Sequence, residues 1–273
     1  KDLYERALIV LVADHGESLG DHGEFDHGIF LYQSTQRIPL MLKLPYGERG
    51  GASVERQVGL VDVLPTVLEL VGLPVPDNIA GVSLLAEDVD PERPLYAEAL
   101  YARGHLGWSE LTSLIGPRYQ FIKAPKPELY DLLEDPEQQN NLIQAERRVA
   151  SEMRAELEQI EKPWEPRDDV DPETLERMAA LGYVSTEIAP GDGPLPDPKD
   201  RVESLYLLKE ANRKFHENEF EGAADDLRRL LEIEPRMVDA MELLARSYQH
   251  SGRPEEAVRV YQQALSVTQE KRN

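Results

Sequence analysis

Residues 7–44 read ALIVLVADHGESLGDHGEFDHGIFLYQSTQRIPLMLKL, and this stretch decides the fold. It opens with an unbroken apolar run, residues 7–13, rich in Ile and Val. A run this short, without polar alternation, predicts a strand buried on both faces of a parallel sheet. The run stops at Asp14, His15 and Gly16. In open α/β sheets ligands bind beyond the carboxyl ends of strands, so Asp14 and His15 stand where chemistry is usually done. A carboxylate beside an imidazole suits a divalent cation. Gly16 and Gly20 let the backbone turn sharply after the strand. Residues 38–44 predict a second strand. Between the two, residues 14–27 hold three histidines and five acids. A helix N-cap next to one satisfied histidine explains a lone Asp-His pair. It does not explain three histidines in one solvated loop, so the stretch reads as a site.

The motif LVADHGESLGDHGEFDHG, followed by LYQSTQRIPL, resembles the second metal-site motif of the sulfatase family in the alkaline phosphatase superfamily. The resemblance implies that Asp14 and His15 bind a metal ion. It also implies that His27, thirteen residues after Asp14, takes the place of the Lys or His that touches the substrate's anionic group. Arg37, Ile38, Pro39 and Leu40 match the family's Arg-Val/Ile-Pro-Leu element, while Tyr32-Gln33 departs from its Tyr-Glu. The implied fold class is α/β: part of an alkaline-phosphatase-like mixed sheet with a small antiparallel C-terminal sheet. The implied activity is hydrolysis of sulfate esters, on a small molecule or a glycan, or of phosphate esters in other branches. Ca²⁺ is the first metal to expect, with Mg²⁺, Mn²⁺ or Zn²⁺ as alternatives.

The family's nucleophile is a formylglycine made from a Cys/Ser-x-Pro-Ser-Arg motif. No such motif occurs in these 273 residues, and there is no Cys. The chain also starts at Lys1 without a Met. The expectation is therefore a C-terminal part of a longer protein, inactive by itself. Two other readings compete: a phosphodiesterase, phosphonate hydrolase or phosphoethanolamine-transferase-like enzyme of the same superfamily, and an inactive scaffold. The resemblance favours a periplasmic or extracellular location.

Charge narrows the partners. Lys and Arg number 30 against 52 Asp and Glu, a formal net charge of −22. Such a surface repels phosphate backbones and anionic lipid, which argues against nucleic-acid binding. No apolar run approaches the length of a membrane span. Without Cys, disulfides and thiolate metal sites are excluded.

Further along, residues 54–59 read as a short strand. Asp62 is placed to cap a helix with Pro65 in its first turn, and Leu64, Val67, Leu68 and Val71 form one apolar face. Gly72 fits the helix C′ position. The segment DVLPTVLELVGLPVPDNIAGVSL again resembles the sulfatase family. Residues 95–100, 110–115, 119–123 and 128–130 are strand-like and separated by Gly and Pro turns, which predicts a small antiparallel sheet. Arg118 and Lys123 fit the family's Arg-Tyr-Lys strand and are candidate substrate-binding cations; a surface cation pair on an edge strand is the competing reading. Tyr101, His105 and Trp108 share a loop and form either a substrate wall or the cover of a core. The phrase ELYDLLEDPEQQNNL resembles the family's ending, with a helix starting at Asp135 and Pro136 and continuing over 143–160.

Residues 163–200 are a Pro- and Asp-rich linker with one short helix between Asp171 and Gly182. The remainder repeats: residues 204–237 align with 238–271 at an offset of 34, the tetratricopeptide period. Ala211 matches Ala245, Ala223 matches Ala257, Leu227 matches Tyr261 and Leu231 matches Leu265. Small residues recur where helices cross closely. The predicted division is a catalytic part over 1–162, a linker over 163–200 and an all-α repeat module over 201–273. The module offers either a concave face to a protein or peptide partner, or a cap on the sheet domain.

Overall fold

A computed structural model describes residues 2–161 and 194–269. The short helix expected between Asp171 and Gly182 lies outside the described residues. The chain begins with helix α1 (Asp2–Arg6), strand β1 (Ile9–Val12), helix α2 (Gln33–Gln36) and strand β2 (Leu40–Lys43). β1 and β2 pair antiparallel, Ile9 opposite Lys43 and Val12 opposite Leu40. The expected burial of β1 on both faces of a parallel sheet does not hold here. Ile9, Leu11 and Val12 are exposed, because β2 is the one strand hydrogen-bonded to β1 among the described residues.

Residues 54–59 form no strand. Side chains hold them instead: the Arg56 guanidinium donates to the carbonyls of Ser83, Leu84 and Ala86, and Gln57 Nε2 donates to Ile115 O at 2.7 Å. Helix α3 (Val63–Leu70) follows, and Gly72 takes the left-handed φ of +71° expected after it. Asp62 does not cap α3. Its buried carboxylate accepts from Gly59 N and Val82 N, both within 2.9 Å, and from Arg93 Nη2 at 2.6 Å, so it ties three loop segments together.

The predicted small sheet is present as β3 (Leu95–Ala99), β4 (Leu111–Ile115), β5 (Tyr119–Lys123) and β6 (Glu128–Asp131), an antiparallel meander in sequence order. Alternation along each strand divides its side chains between two faces. Leu114, Phe121 and Leu129 pack on Ala150 and Leu157 of α4 (Arg147–Ile160). Leu111, Ile122 and Tyr130 belong to a second core with Phe30, Leu31 and Tyr32. Gln120, on that second face, donates to Leu31 O at 2.6 Å. No helix starts at Asp135: its carboxylate accepts from the backbone N–H groups of Gln139 and Asn140 and closes a local turn.

The repeats form four helices, α5 (Val202–His216), α6 (Phe220–Ile233), α7 (Val238–His250) and α8 (Pro254–Gln269). Ala211, Ala223, Ala245 and Ala257 are all buried where the helices cross. Leu227 is buried too, yet its counterpart Tyr261 and also Leu265 are exposed.

This module shares the second core of the sheet domain. Trp108 is fully buried and donates through Nε1 to Glu234 Oε2 at 3.1 Å. Glu234 also accepts from Ser204 Oγ at 2.9 Å and faces Arg201 at 3.4 Å. His105 Nδ1 lies 3.0 Å from Asp239 Oδ1, and Tyr101 stacks on His105 while donating to Asp239. Tyr101, His105 and Trp108 thus cover a core and hold the module to the sheet domain.

Candidate active site

The loop after β1 folds back on itself. Ser18 N donates to Asp26 O at 3.0 Å and Gly20 N donates to Glu24 O at 2.8 Å, which returns residues 26–27 to the strand end where residues 14–15 stand. Gly16 is required at the base of this loop. Its N–H donates to Thr35 O at 2.8 Å, and a Cβ there would lie 2.2 Å from Ser34 O, so only glycine lets the Asp-His-Gly turn rest on α2. Gly20, Gly23 and Gly28 all take positive φ, where a side chain would be strained.

The result is one cluster. The His15 and His27 rings stack with centroids 3.7 Å apart. His15 Nδ1 donates to Gly16 O at 2.7 Å; a carbonyl only accepts, so this nitrogen carries a proton, and in the neutral ring Nε2 holds the lone pair. That Nε2 is 3.7 Å from Asp14 Oδ1. Metal-binding histidines commonly donate their other N–H to a backbone carbonyl in this manner. An exposed carboxylate beside a free imidazole nitrogen is donor chemistry that fits a divalent cation.

His27 is held from its other side. Its Nδ1 lies 2.9 Å from Asp26 Oδ1 and 3.5 Å from Glu17 Oε2. Two carboxylates on Nδ1 fix the ring and leave Nε2 for an outside group. Glu17, Asp26 and His27 also bring one ligand atom each within 4.8 Å of one another, a second set able to hold a cation. Asp26 adjoins His27 in the sequence and is legible there as its carboxylate partner; Glu17 is not, because its approach depends on the backbone return at Ser18 and Asp26.

Arg118 and Lys123 each meet a carboxylate of the sheet domain. Arg118 grips Asp131 through Nε at 2.9 Å and Nη2 at 2.8 Å, and this partner holds the Asp131 carboxyl below its ordinary range. Lys123 shares the strand face of Phe121, which packs on α4, and pairs with Glu161 beyond that helix. Residues 30–32 pack on the opposite face.

Glu24 stabilises the loop at a cost. It is 3% exposed and accepts from Ile29 N at 2.9 Å and Phe30 N at 3.4 Å. Burial outweighs these bonds and raises its pKa from 4.5 to about 7. The folded state therefore holds this proton more tightly than the unfolded chain, and stability falls as pH rises from 4.5 to about 7. The shift corresponds to about 3 kcal/mol. Chemical denaturation at several pH values across this window should show the difference between the wild type and Glu24→Gln shrinking by that order toward acid pH. A difference independent of pH would exclude Glu24 as the titrating group.

The family model for N-sulphoglucosamine sulphohydrolase, C-terminal, matches residues 20–163. The chain belongs to the sulfatase family. A tetratricopeptide repeat model matches residues 214–272 of this sulfatase chain. Human arylsulfatase K is 36% identical over 84 residues, covering 31% of this chain and 15% of that protein. N-acetylglucosamine-6-O-sulfatase from Bacteroides thetaiotaomicron is 29% identical over 184 residues, 63% of this chain and 33% of that protein. The sulfatase chain thus spans a third or less of these relatives. Among solved structures, the phosphonate monoester hydrolase of Agrobacterium radiobacter is 23% identical, with a TM-score of 0.45 over 57% of this chain and 35% of that one. Among the described residues, no helix is long and apolar enough to cross a membrane.

Proposed function

We propose that this chain is the C-terminal part of a metal-dependent sulfuric ester hydrolase, acting on a sulfated glycan or a smaller sulfate ester. Membership of the sulfatase family and the names of the relatives, arylsulfatase K and N-acetylglucosamine-6-O-sulfatase, support the reaction class. The observation that carries the reading is the joining of His15 to His27, with the open Nε2 of His15 next to Asp14.

In this reading Asp14 and His15 Nε2 hold a divalent cation, Ca²⁺ first. When bound, the cation acts as a Lewis acid on the charged sulfate oxygens. The nucleophile, a formylglycine, comes from residues outside this chain. His27, held at Nδ1 by Asp26 and Glu17, presents Nε2 to the ester. There it contacts a sulfate oxygen or hands a proton to the departing alkoxide. Substrate contact is assigned to His27 rather than to Arg118 and Lys123, whose charges already meet Asp131 and Glu161. The repeats brace the sheet domain through Trp108 and His105; any protein partner would use the surfaces left open.

The test uses the full-length enzyme with an aryl sulfate, glucosamine 6-sulfate, and matched phosphate and phosphonate esters. Sulfate ester hydrolysis that a chelator abolishes and Ca²⁺ restores is the expected result. Preference for the phosphonate ester would move the enzyme to a phosphohydrolase branch, and no turnover of any ester would favour a scaffold.

A further inference from the structure

One face of the first repeat helix meets the loop. Val202, Tyr206 and Lys209 of α5 stand against Gly23 and Phe25. The Phe25 ring meets the Tyr206 ring edge-on, with centroids 4.7 Å apart at 71°. Lys209 Nζ lies over the same ring, 4.4 Å from its centroid. Val202 is so close to Gly23 that a Cβ on Gly23 would fall 2.4 Å from its Cγ1. Glu24, between the two contact residues, turns inward to the N–H groups of Ile29 and Phe30. Asp26 and His27 follow at once. The segment is therefore clamped on both sides just before His27: inside by a buried carboxylate, outside by α5.

We propose that α5 is a positioning element of the active site, setting the loop that carries His27 through the contact of Tyr206 and Lys209 with Phe25. The inference rests on the reading of His27 as the group that hands a proton to the leaving oxygen. It makes the first repeat part of the working enzyme rather than an appended binding module. An edge-on aromatic contact with an added cation is a modest interaction. That is too little to decide folding and enough to decide where a short glycine-rich loop rests.

Tyr206 is 47% exposed, so its removal leaves little cavity. The test measures kcat and KM of the full-length enzyme and of Tyr206→Ala, Tyr206→Phe, His27→Ala and the Tyr206→Ala/His27→Ala double variant. Each is assayed on an alkyl sulfate and on an activated aryl sulfate. Misplacing a proton donor by about 1 Å costs up to about 10²-fold. The expected result is a loss of about 10-fold or more in kcat for Tyr206→Ala on the alkyl ester only, with KM, melting temperature and metal content kept. Tyr206→Phe, which retains the ring, should restore the rate. The double variant should be no slower than His27→Ala. A Tyr206→Ala enzyme like the wild type on both esters overturns the proposal, as does a loss equal on both or one that adds to that of His27→Ala. If His27→Ala itself spares the alkyl ester, the reading of the site fails and the proposal falls with it.

Discussion

Replacing Asp14 by Ala in the full-length enzyme should lower sulfate ester turnover by about 10³-fold or more and remove the bound divalent ion. Among the described residues, Asp14 is the carboxylate placed beside Nε2 of His15. A single imidazole is a weak site for a hard cation, which prefers oxygen ligands. Loss of the ion takes away charge stabilisation of several kcal/mol, and each 1.36 kcal/mol is tenfold in rate. Little of the loss should come from unfolding. The Asp14 side chain is 86% exposed and its contacts are to its neighbour, the N–H and ring of His15; such surface changes usually stay within about 0.5 kcal/mol. Metal analysis, initial rates and a melting curve under chelation check the three parts. Unchanged metal content together with unchanged turnover would remove Asp14 from the site.

His27→Ala should discriminate between substrates. A poor leaving group needs its proton as the ester bond breaks, whereas an activated aryl oxide leaves without one. The variant is expected to slow alkyl sulfates by about 10²–10⁴-fold and activated aryl sulfates far less. The geometry supports this assignment: Nδ1 faces Asp26 and Glu17, so Nε2 is the nitrogen that remains for the substrate. Equal losses on both esters, with a lower melting temperature, would make His27 a structural residue of the loop.

Much of this was legible in the sequence because local rules decide it. The strand end at Asp14, the four-stranded meander and the 34-residue repeat follow from periodicity and turn residues. What remained hidden depends on contacts between distant segments. The run over residues 7–13 carries the pattern of an interior strand, but pattern does not say what covers it, and here Leu11 and Val12 meet solvent. Asp62 has the position of a helix cap, yet the approach of Arg93 and the Val82 N–H turns its carboxylate away. Lys123 fits a family strand, while strand alternation puts it on the face toward α4. Trp108 could be read as a wall or a cover until Glu234, from the repeats, appeared at its ring nitrogen. Glu24 and Phe25 had no signal beyond their place among glycines; one is defined by burial, the other by a helix far along the chain.

The central claim is that Asp14 and His15 bind the catalytic cation and leave His27 to the ester. Anomalous diffraction from crystals of the full-length enzyme loaded with Mn²⁺, a cation visible by this method, tests it most directly. The account predicts one strong peak in contact with the Asp14 carboxylate and His15 Nε2, with His27 beside it and outside the coordination sphere. A peak held instead by Glu17, Asp26 and His27, the other set able to take a cation, would contradict it.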